Sequence, residues 1–188
     1  MSQTVERLRW TVRDLEVLPQ NEGTYYEIIA GELFVTRSPH RRHQQVGGKI
    51  FRELDIWSEA SGLGEAIPSP GIIFSEADSV IPDVVWVSKE RLAEIEDEAG
   101  HLNAAPELVV EVLSSGQQNI ERDREVKLKL YSKTGVAEYW IADRFSQQVE
   151  IYQRRDNQLI LAVTLSENNE LTSPLLPGFH CPISHFFG

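Results

Sequence analysis

The sequence predicts an α/β (α+β) fold, a central mixed β-sheet flanked by helices, and three patterns within its 188 residues carry that prediction. Leu108-Val109-Val110-Glu111-Val112-Leu113 is a near-continuous apolar run, the mark of a strand covered on both faces. Val46, Ile50, Leu54 and Trp57 recur at steps of four, four and three, the period of an amphipathic helix. Residues 148–152 and 159–165 alternate in character, as an antiparallel pair with one wet face does. A doubly covered strand beside antiparallel neighbours implies a mixed sheet with helical layers. No internal repeat, low-complexity tract or linker interrupts the chain, so one domain is expected over residues 1–188.

Each element has its own signal. Thr11 is placed to cap a short helix through residue 18, where Pro19 and Gly23 break the pattern. Tyr25-Tyr26-Glu27-Ile28-Ile29 and Leu33-Phe34-Val35 flank Ala30-Gly31 as a hairpin. A helix is expected over residues 43–60, stopped by Ser61-Gly62. Gly71-Ile72-Ile73-Phe74 reads as a strand, and residues 80–87 as another that runs into a short helix at 88–92 and an exposed acidic loop at 94–100. The strand at 108–113 leads to a helix at 120–133, ended by Thr134-Gly135. Glu138-Tyr139-Trp140-Ile141-Ala142 is the next strand, and its aromatic pair belongs to the core rather than to a base-stacking platform.

Composition narrows the class of function. No apolar run of about 18 residues exists to span a bilayer, and residues 1–9 lack a secretory stretch, so a cytoplasmic location without a membrane partner is expected. Cys181 is the only cysteine, which excludes an intrachain disulfide and a multi-thiolate zinc cluster and leaves it the reading of a small core residue. The formal net charge of -11 repels phosphates at long range and argues against indiscriminate adhesion to nucleic acid. Yet Arg37, Arg41, Arg42, Lys49 and Arg52, with His40 and His43, form an acid-free segment at the start of a predicted helix. Exposed amides there already favour an anion, so the segment reads either as a phosphate-facing patch or as a solvated helix face.

The chemistry is carried by two carboxylates in strands that otherwise read as buried, Asp83 in Ile81-Pro82-Asp83-Val84-Val85-Trp86-Val87 and Glu111 in the apolar run. Keeping a carboxylate ionised in an apolar environment costs several kcal/mol unless a cation, a hydrogen-bond network or a proton compensates it. Strand parity puts Asp83 with Val85 and Val87, and Glu111 with Val109 and Leu113, so the acids converge if the strands are neighbours. In the following helix Asp123, Lys127 and Tyr131 share one stripe, which delivers an ammonium to the same place. Two carboxylates and an ammonium around one point make a Mg²⁺ site for a phosphodiester. A buried Glu111–Lys127 ion pair without chemistry stays open beside that reading.

At these residues the chain resembles the restriction-endonuclease-like nucleases, the superfamily written PD-(D/E)xK: Pro82-Asp83 matches the PD and Glu111 the second acid. More closely, it resembles a family of small proteins abundant in cyanobacteria that belongs to that superfamily. Tyr26-Glu27-Ile28-Ile29-Ala30-Gly31-Glu32-Leu33, Arg42-His43-Gln44, Pro106-Glu107-Leu108-Val109-Val110-Glu111-Val112-Leu113-Ser114, Asp123-Arg124-Glu125-Val126-Lys127-Leu128 and Gly135-Val136-Ala137-Glu138-Tyr139-Trp140 carry the likeness. The superfamily lysine would stand two residues after Glu111, where this chain has Leu113; the resembled family supplies it from the next helix, here Lys127.

The resemblance implies a restriction-endonuclease-like fold and hydrolysis of DNA with Mg²⁺, for which Mn²⁺ can substitute. Asp83, Glu111 and Lys127 would be catalytic. Asp83, Glu111, the Val112 carbonyl and Glu32 would hold metal. Arg41, Arg42, His43 and Tyr131 would face nucleic acid, and two copies would act as a homodimer. A nuclease-fold module that binds nucleic acid or protein without cutting is the alternative, and a metal-free hydrolase using the two acids as general acid and base is the second.

Overall fold

Leu108–Val112, five consecutive strand residues with no exposed side chain, lie inside a six-stranded sheet of the computed structural model, which describes residues 8–19, 21–37 and 39–188. Most of the N-terminal stretch expected to lack an apolar leader lies outside the described residues. Along the chain, α1 (Val12–Leu15) precedes the hairpin β1 (Thr24–Ile29) and β2 (Glu32–Arg37), then α2 (Arg41–Ser61). Next come β3 (Gly64–Pro68), β4 (Ile72–Ser75), β5 (Asp78–Val80), β6 (Val84–Ser88), α3 (Lys89–Ile95) and β7 (Leu108–Val112). The crossover is α4 (Gln117–Glu121), a π-helical turn Arg122–Lys127 and α5 (Leu128–Thr134). The chain closes with β8 (Glu138–Asp143), β9 (Gln148–Arg155), β10 (Gln158–Ser166), β11 (Glu170–Ser173), β12 (Leu176–Pro182) and α6 (Ser184–Phe187).

The large sheet has the order β10-β9-β8-β7-β6-β3; β7 and β8 run parallel and every other pair is antiparallel, so the expected mixed sheet is present. A second sheet, β2-β1-β5-β4, is antiparallel, and β11-β12 form a separate hairpin. Period two along the central strands divides the core. Val84, Trp86, Leu108, Val110, Val112 and Trp140 pack with α2 and the C-terminal hairpin on one face. Val85, Val87, Val109, Leu113, Tyr139 and Ile141 pack with the second sheet and α5 on the other. Tyr139 and Trp140 are both fully buried, as their apolar strand predicts.

Local chemistry explains the boundaries. Thr11 caps α1 through a capping box with Asp14. Ala30 and Gly31 both have positive φ, 52° and 78°, the two-residue turn whose twist suits a hairpin, and the Ala30 N–H donates to Asp78 Oδ1 at 2.8 Å. His40 caps α2 by accepting from the Arg42 N–H, and Gly62 ends the helix in the left-handed conformation.

Three expectations change. Residues 80–87 are two strands in different sheets, because Pro82 has no N–H for a ladder and the Ile81 N–H donates instead to Glu27 Oε1 at 2.9 Å. The expected helix at 120–133 starts earlier and contains the π turn, which puts the buried pair Asp123 and Lys127 inside its widened section. β3, β11 and β12 had no strand signal. β3 lies against β6 so closely that a Cβ added to Gly64 would stand 2.3 Å from the Val87 carbonyl oxygen and 2.6 Å from the Trp86 ring. Gly64→Ala is therefore expected to lower stability by about 1–3 kcal/mol, read as a fall in the urea midpoint; an unchanged midpoint would show that β3 is free to move away.

Candidate active site

One cavity brings the two acids together. Val84 pairs with Val110 and Val85 with Val109 across β6 and β7, and at the end of that ladder Asp83, in the bend before β6, and Glu111 of β7 line one cavity. Parity puts Glu111 on the Val109 face of β7, whereas Asp83 stands in the bend before β6 with His43 of α2 beside it. The Asp83 Oδ2 accepts the Val112 N–H at 2.7 Å. Because the N–H and C=O of one strand residue point the same way, the Val112 carbonyl faces the Asp83 side as well.

The crossover helix delivers the cation. Lys127 Nζ lies 2.8 Å from Glu111 Oε1 and 2.9 Å from Glu27 Oε1, with 2% of the lysine side chain exposed. Leu113, at the superfamily's lysine position, is instead fully buried in the apolar core. Glu111 Oε1 also accepts the Tyr131 hydroxyl at 2.9 Å. Tyr131 is fully enclosed, with its ring centroid 5.0 Å from that of Tyr139 and 6.3 Å from that of Phe74. It cannot face nucleic acid as expected; it holds Glu111.

Two further expectations are redrawn. Glu32 stands exposed beside the hairpin turn and is not brought to the acids. Glu27 of β1 takes that place, buried against Lys127 and the Ile81 N–H. Its signal was the one that exposed Asp83 and Glu111, a carboxylate inside an apolar strand. Of the basic segment, His43 is buried with Nε2 3.3 Å from Asp83 Oδ2, and Arg37 lines the cavity, whereas Arg41 and Arg42 are exposed on the first turn of α2. Arg122 is the cation that sequence reading missed: its Nε lies 3.5 Å from Asp123 Oδ1 and its Nη1 4.0 Å from Glu27 Oε2.

These side chains line a cavity of about 300 Å³ at the end of the sheet where β7 stops and β6 begins. Four carboxylates, Glu27, Asp83, Glu111 and Asp123, share the cavity lining with three permanent cations, the enclosed Lys127 and Arg122 and the exposed Arg37. Burial pushes the carboxyls of Asp83, Glu111 and Asp123 above their ordinary range; for Asp83, the nearby His43 opposes the rise, and for the other two Lys127 does. Burial would likewise discharge Lys127, but Glu111, Glu27 and Asp123 outweigh it and hold the ammonium above its usual range. Asp123 Oδ1 and Arg122 Nε are buried without a hydrogen-bond partner.

The donor set fits a hard divalent cation. It offers carboxylate oxygens and a carbonyl, holds more carboxylates than permanent cations, and leaves Asp83 with 23% of its side chain exposed. Among the described residues no three of these carboxylates converge within 4.8 Å, so the cluster is not a closed protein cage.

The family model described as "Uma2: Putative restriction endonuclease" matches residues 12–184. Among solved structures, that of a putative nuclease belonging to DUF820 from Anabaena variabilis ATCC 29413 is similar, with a TM-score of 0.73 at 19% identity over 94% of this chain and 97% of that one. At that identity the likeness speaks for the fold, and it agrees with a mixed sheet flanked by helices. No curated protein matches the chain. No helix among the described residues is long and apolar enough to cross a membrane.

Proposed function

This chain belongs to the Uma2 family, and we propose that it is a divalent-metal-dependent endonuclease that hydrolyses phosphodiester bonds in DNA through the Asp83, Glu111 and Lys127 cluster. The observation that carries the reading is that Asp83, Glu111 and Lys127 line one cavity, with Lys127 Nζ 2.8 Å from Glu111 Oε1 and Asp83 Oδ2 2.7 Å from the Val112 N. Asp83, Glu111 and the Val112 carbonyl would hold Mg²⁺, with Mn²⁺ able to substitute. When bound, the cation polarises the phosphate and lowers the pKa of water.

The chain's own residues supply the rest. The Val112 N–H and His43 fix Asp83 from two sides, and Tyr131 with Lys127 fixes Glu111. Lys127, kept protonated by its neighbours, offers positive charge where the phosphoryl oxygens gain negative charge. A water oxygen would form a bond to phosphorus and give up a proton to solvent as the bond to the leaving sugar oxygen breaks, and that sugar oxygen would take up a proton from solvent. Glu27 keeps the ammonium in place, while Arg122 and Asp123 enclose the cavity. A homodimer, with one site for each strand, belongs to the same reading.

The basic start of α2 would meet the DNA backbone. Arg41 and Arg42 are exposed, so replacing both with alanine is expected to leave folding intact while lowering the salt slope of DNA affinity by about 1–2. Anisotropy titrations over a range of salt measure this; an unchanged slope would make the segment a solvated helix face. Cleavage of supercoiled plasmid with Mg²⁺ or Mn²⁺, and its loss in chelator, tests the activity itself.

A further inference from the structure

A second cluster of ligand atoms lies apart from this cavity. Glu53 of α2, Cys181 of β12 and His185 of α6 each place one donor atom within 4.8 Å of the other two, the one such trio among the described residues. His185 Nδ1 stands 3.5 Å from Glu53 Oε1. Cys181 is fully buried and packs in the core cluster on the face of the large sheet opposite Glu111, so the two groups do not share space. Glu53 and His185 keep 20% and 52% of their side chains exposed, which leaves an approach from solvent.

We propose that Glu53, Cys181 and His185 form a metal site for a zinc-class cation that clamps the C-terminal strand and helix onto α2. A thiolate, an imidazole and a carboxylate are the three donor types that Zn²⁺ accepts together, at about 2.3, 2.0–2.1 and 2.0–2.2 Å. A tetrahedral ion with three protein ligands would need only a modest contraction of the trio and would keep its fourth position for water. Binding breaks the Cys181 S–H bond and releases that proton to solvent, so one carboxylate and one thiolate neutralise the dication. Hard Mg²⁺ does not suit this donor set.

The surroundings set the strength of the site. Arg52 Nη2 lies 3.2 Å from Glu53 Oε1 and competes for the carboxylate, and Lys49 Nζ donates to the Gly188 carbonyl beside it. The four residues of α6 add little helical stability of their own, and a clamp from β12 and α6 to α2 would fasten them.

Co²⁺ titration tests the site, because a thiolate bound to cobalt gives a charge-transfer band in the near ultraviolet and Cys181 is the chain's only thiol. The expected result is a band that saturates near one equivalent, is displaced by Zn²⁺, disappears in Cys181→Ser and needs about tenfold or more cobalt in His185→Gln. His185 is half exposed, so that variant does not threaten the fold. Asp83→Asn should retain the band in full, which separates this site from the proposed nuclease centre. Absence of the band in the wild-type protein, or equal affinity in His185→Gln, overturns the proposal.

Discussion

Asp83→Asn should remove Mg²⁺ binding while leaving the fold intact. The asparagine oxygen can still accept the Val112 N–H that Asp83 holds at 2.7 Å, so the substitution deletes charge rather than structure. A wild-type protein with Mg²⁺ at about 100 times its dissociation constant gains about 2.7 kcal/mol, or about 5–10 °C in Tm for a chain of this size. The variant should gain little. The pH dependence has a defined sign. A carboxyl whose folded pKa is raised adds stability below its unfolded pKa of about 4 and loses it as pH climbs through the raised folded value. Asp83 is such a group, raised by burial, so metal-free Asp83→Asn should become more stable relative to the wild type as pH rises from about 4 to 8. Equal Mg²⁺ shifts in the two proteins would place the cation elsewhere. Mg²⁺ is the probe of choice here because the thiol-bearing trio does not suit it.

Lys127→Met is expected to cost stability and activity together. The ammonium is the cation within salt-bridge reach of both Glu111 and Glu27, and removing it leaves two buried carboxylates facing each other across an apolar side chain. Breaking one side of a buried pair costs about 3–5 kcal/mol. Burial already holds Glu111 well above the ordinary carboxyl range, so a proton can replace the missing ammonium, and the deficit should shrink as pH falls from 8 toward 5. Cleavage should fall by about 10²–10³-fold. The double variant Lys127→Met with Glu27→Gln separates the two roles: it removes one of the two unpaired carboxylates without touching a proposed metal ligand, so part of the stability should return, and cleavage should not. Recovery of cleavage with stability would reduce Lys127 to a structural counter-ion.

Glu111 and Lys127 were legible because each depends on a periodicity that the sequence displays: parity put Glu111 with Val109 and Leu113, and the helix that follows β7 had to return to the sheet with Lys127 on its inner stripe. Asp83 drew notice as an acid in an apolar run, but it stands in the bend before β6, held by the Val112 N–H and beside His43, rather than in the strand. Glu27 carried the same signal and was passed over for Glu32, because the depth of a hairpin residue depends on which sheet covers it. β5 pairs with β1 and brings Glu27 under the Ile81 N–H, a contact between residues 54 positions apart that no local pattern encodes. Tyr131 shares the stripe of Asp123 and Lys127, but the stripe does not say how far from the sheet edge each position lies; Phe74 and Tyr139 enclose it.

β3 escaped notice for a different reason. Gly64-Glu65-Ala66-Ile67-Pro68 has few of the branched and aromatic residues that mark strands, and only the packing of Gly64 on Trp86 makes it one. The π turn was invisible because residues four apart share a face in an α-helix as they do in a π turn. Arg122 lies within that turn, so its approach to Glu27 and Asp123 was beyond sequence reading as well.

Cleavage of end-labelled duplex DNA under single-turnover conditions tests the proposed activity most directly, with enzyme in excess and wild-type and Asp83→Asn proteins purified side by side. Metal-dependent hydrolysis at this cavity predicts strand scission by the wild type in Mg²⁺ or Mn²⁺, none in chelator, and a rate lower by about 10³-fold in the variant. A wild-type protein that binds the duplex and leaves it intact in both metals, or a variant that cuts as fast as the wild type, would contradict it.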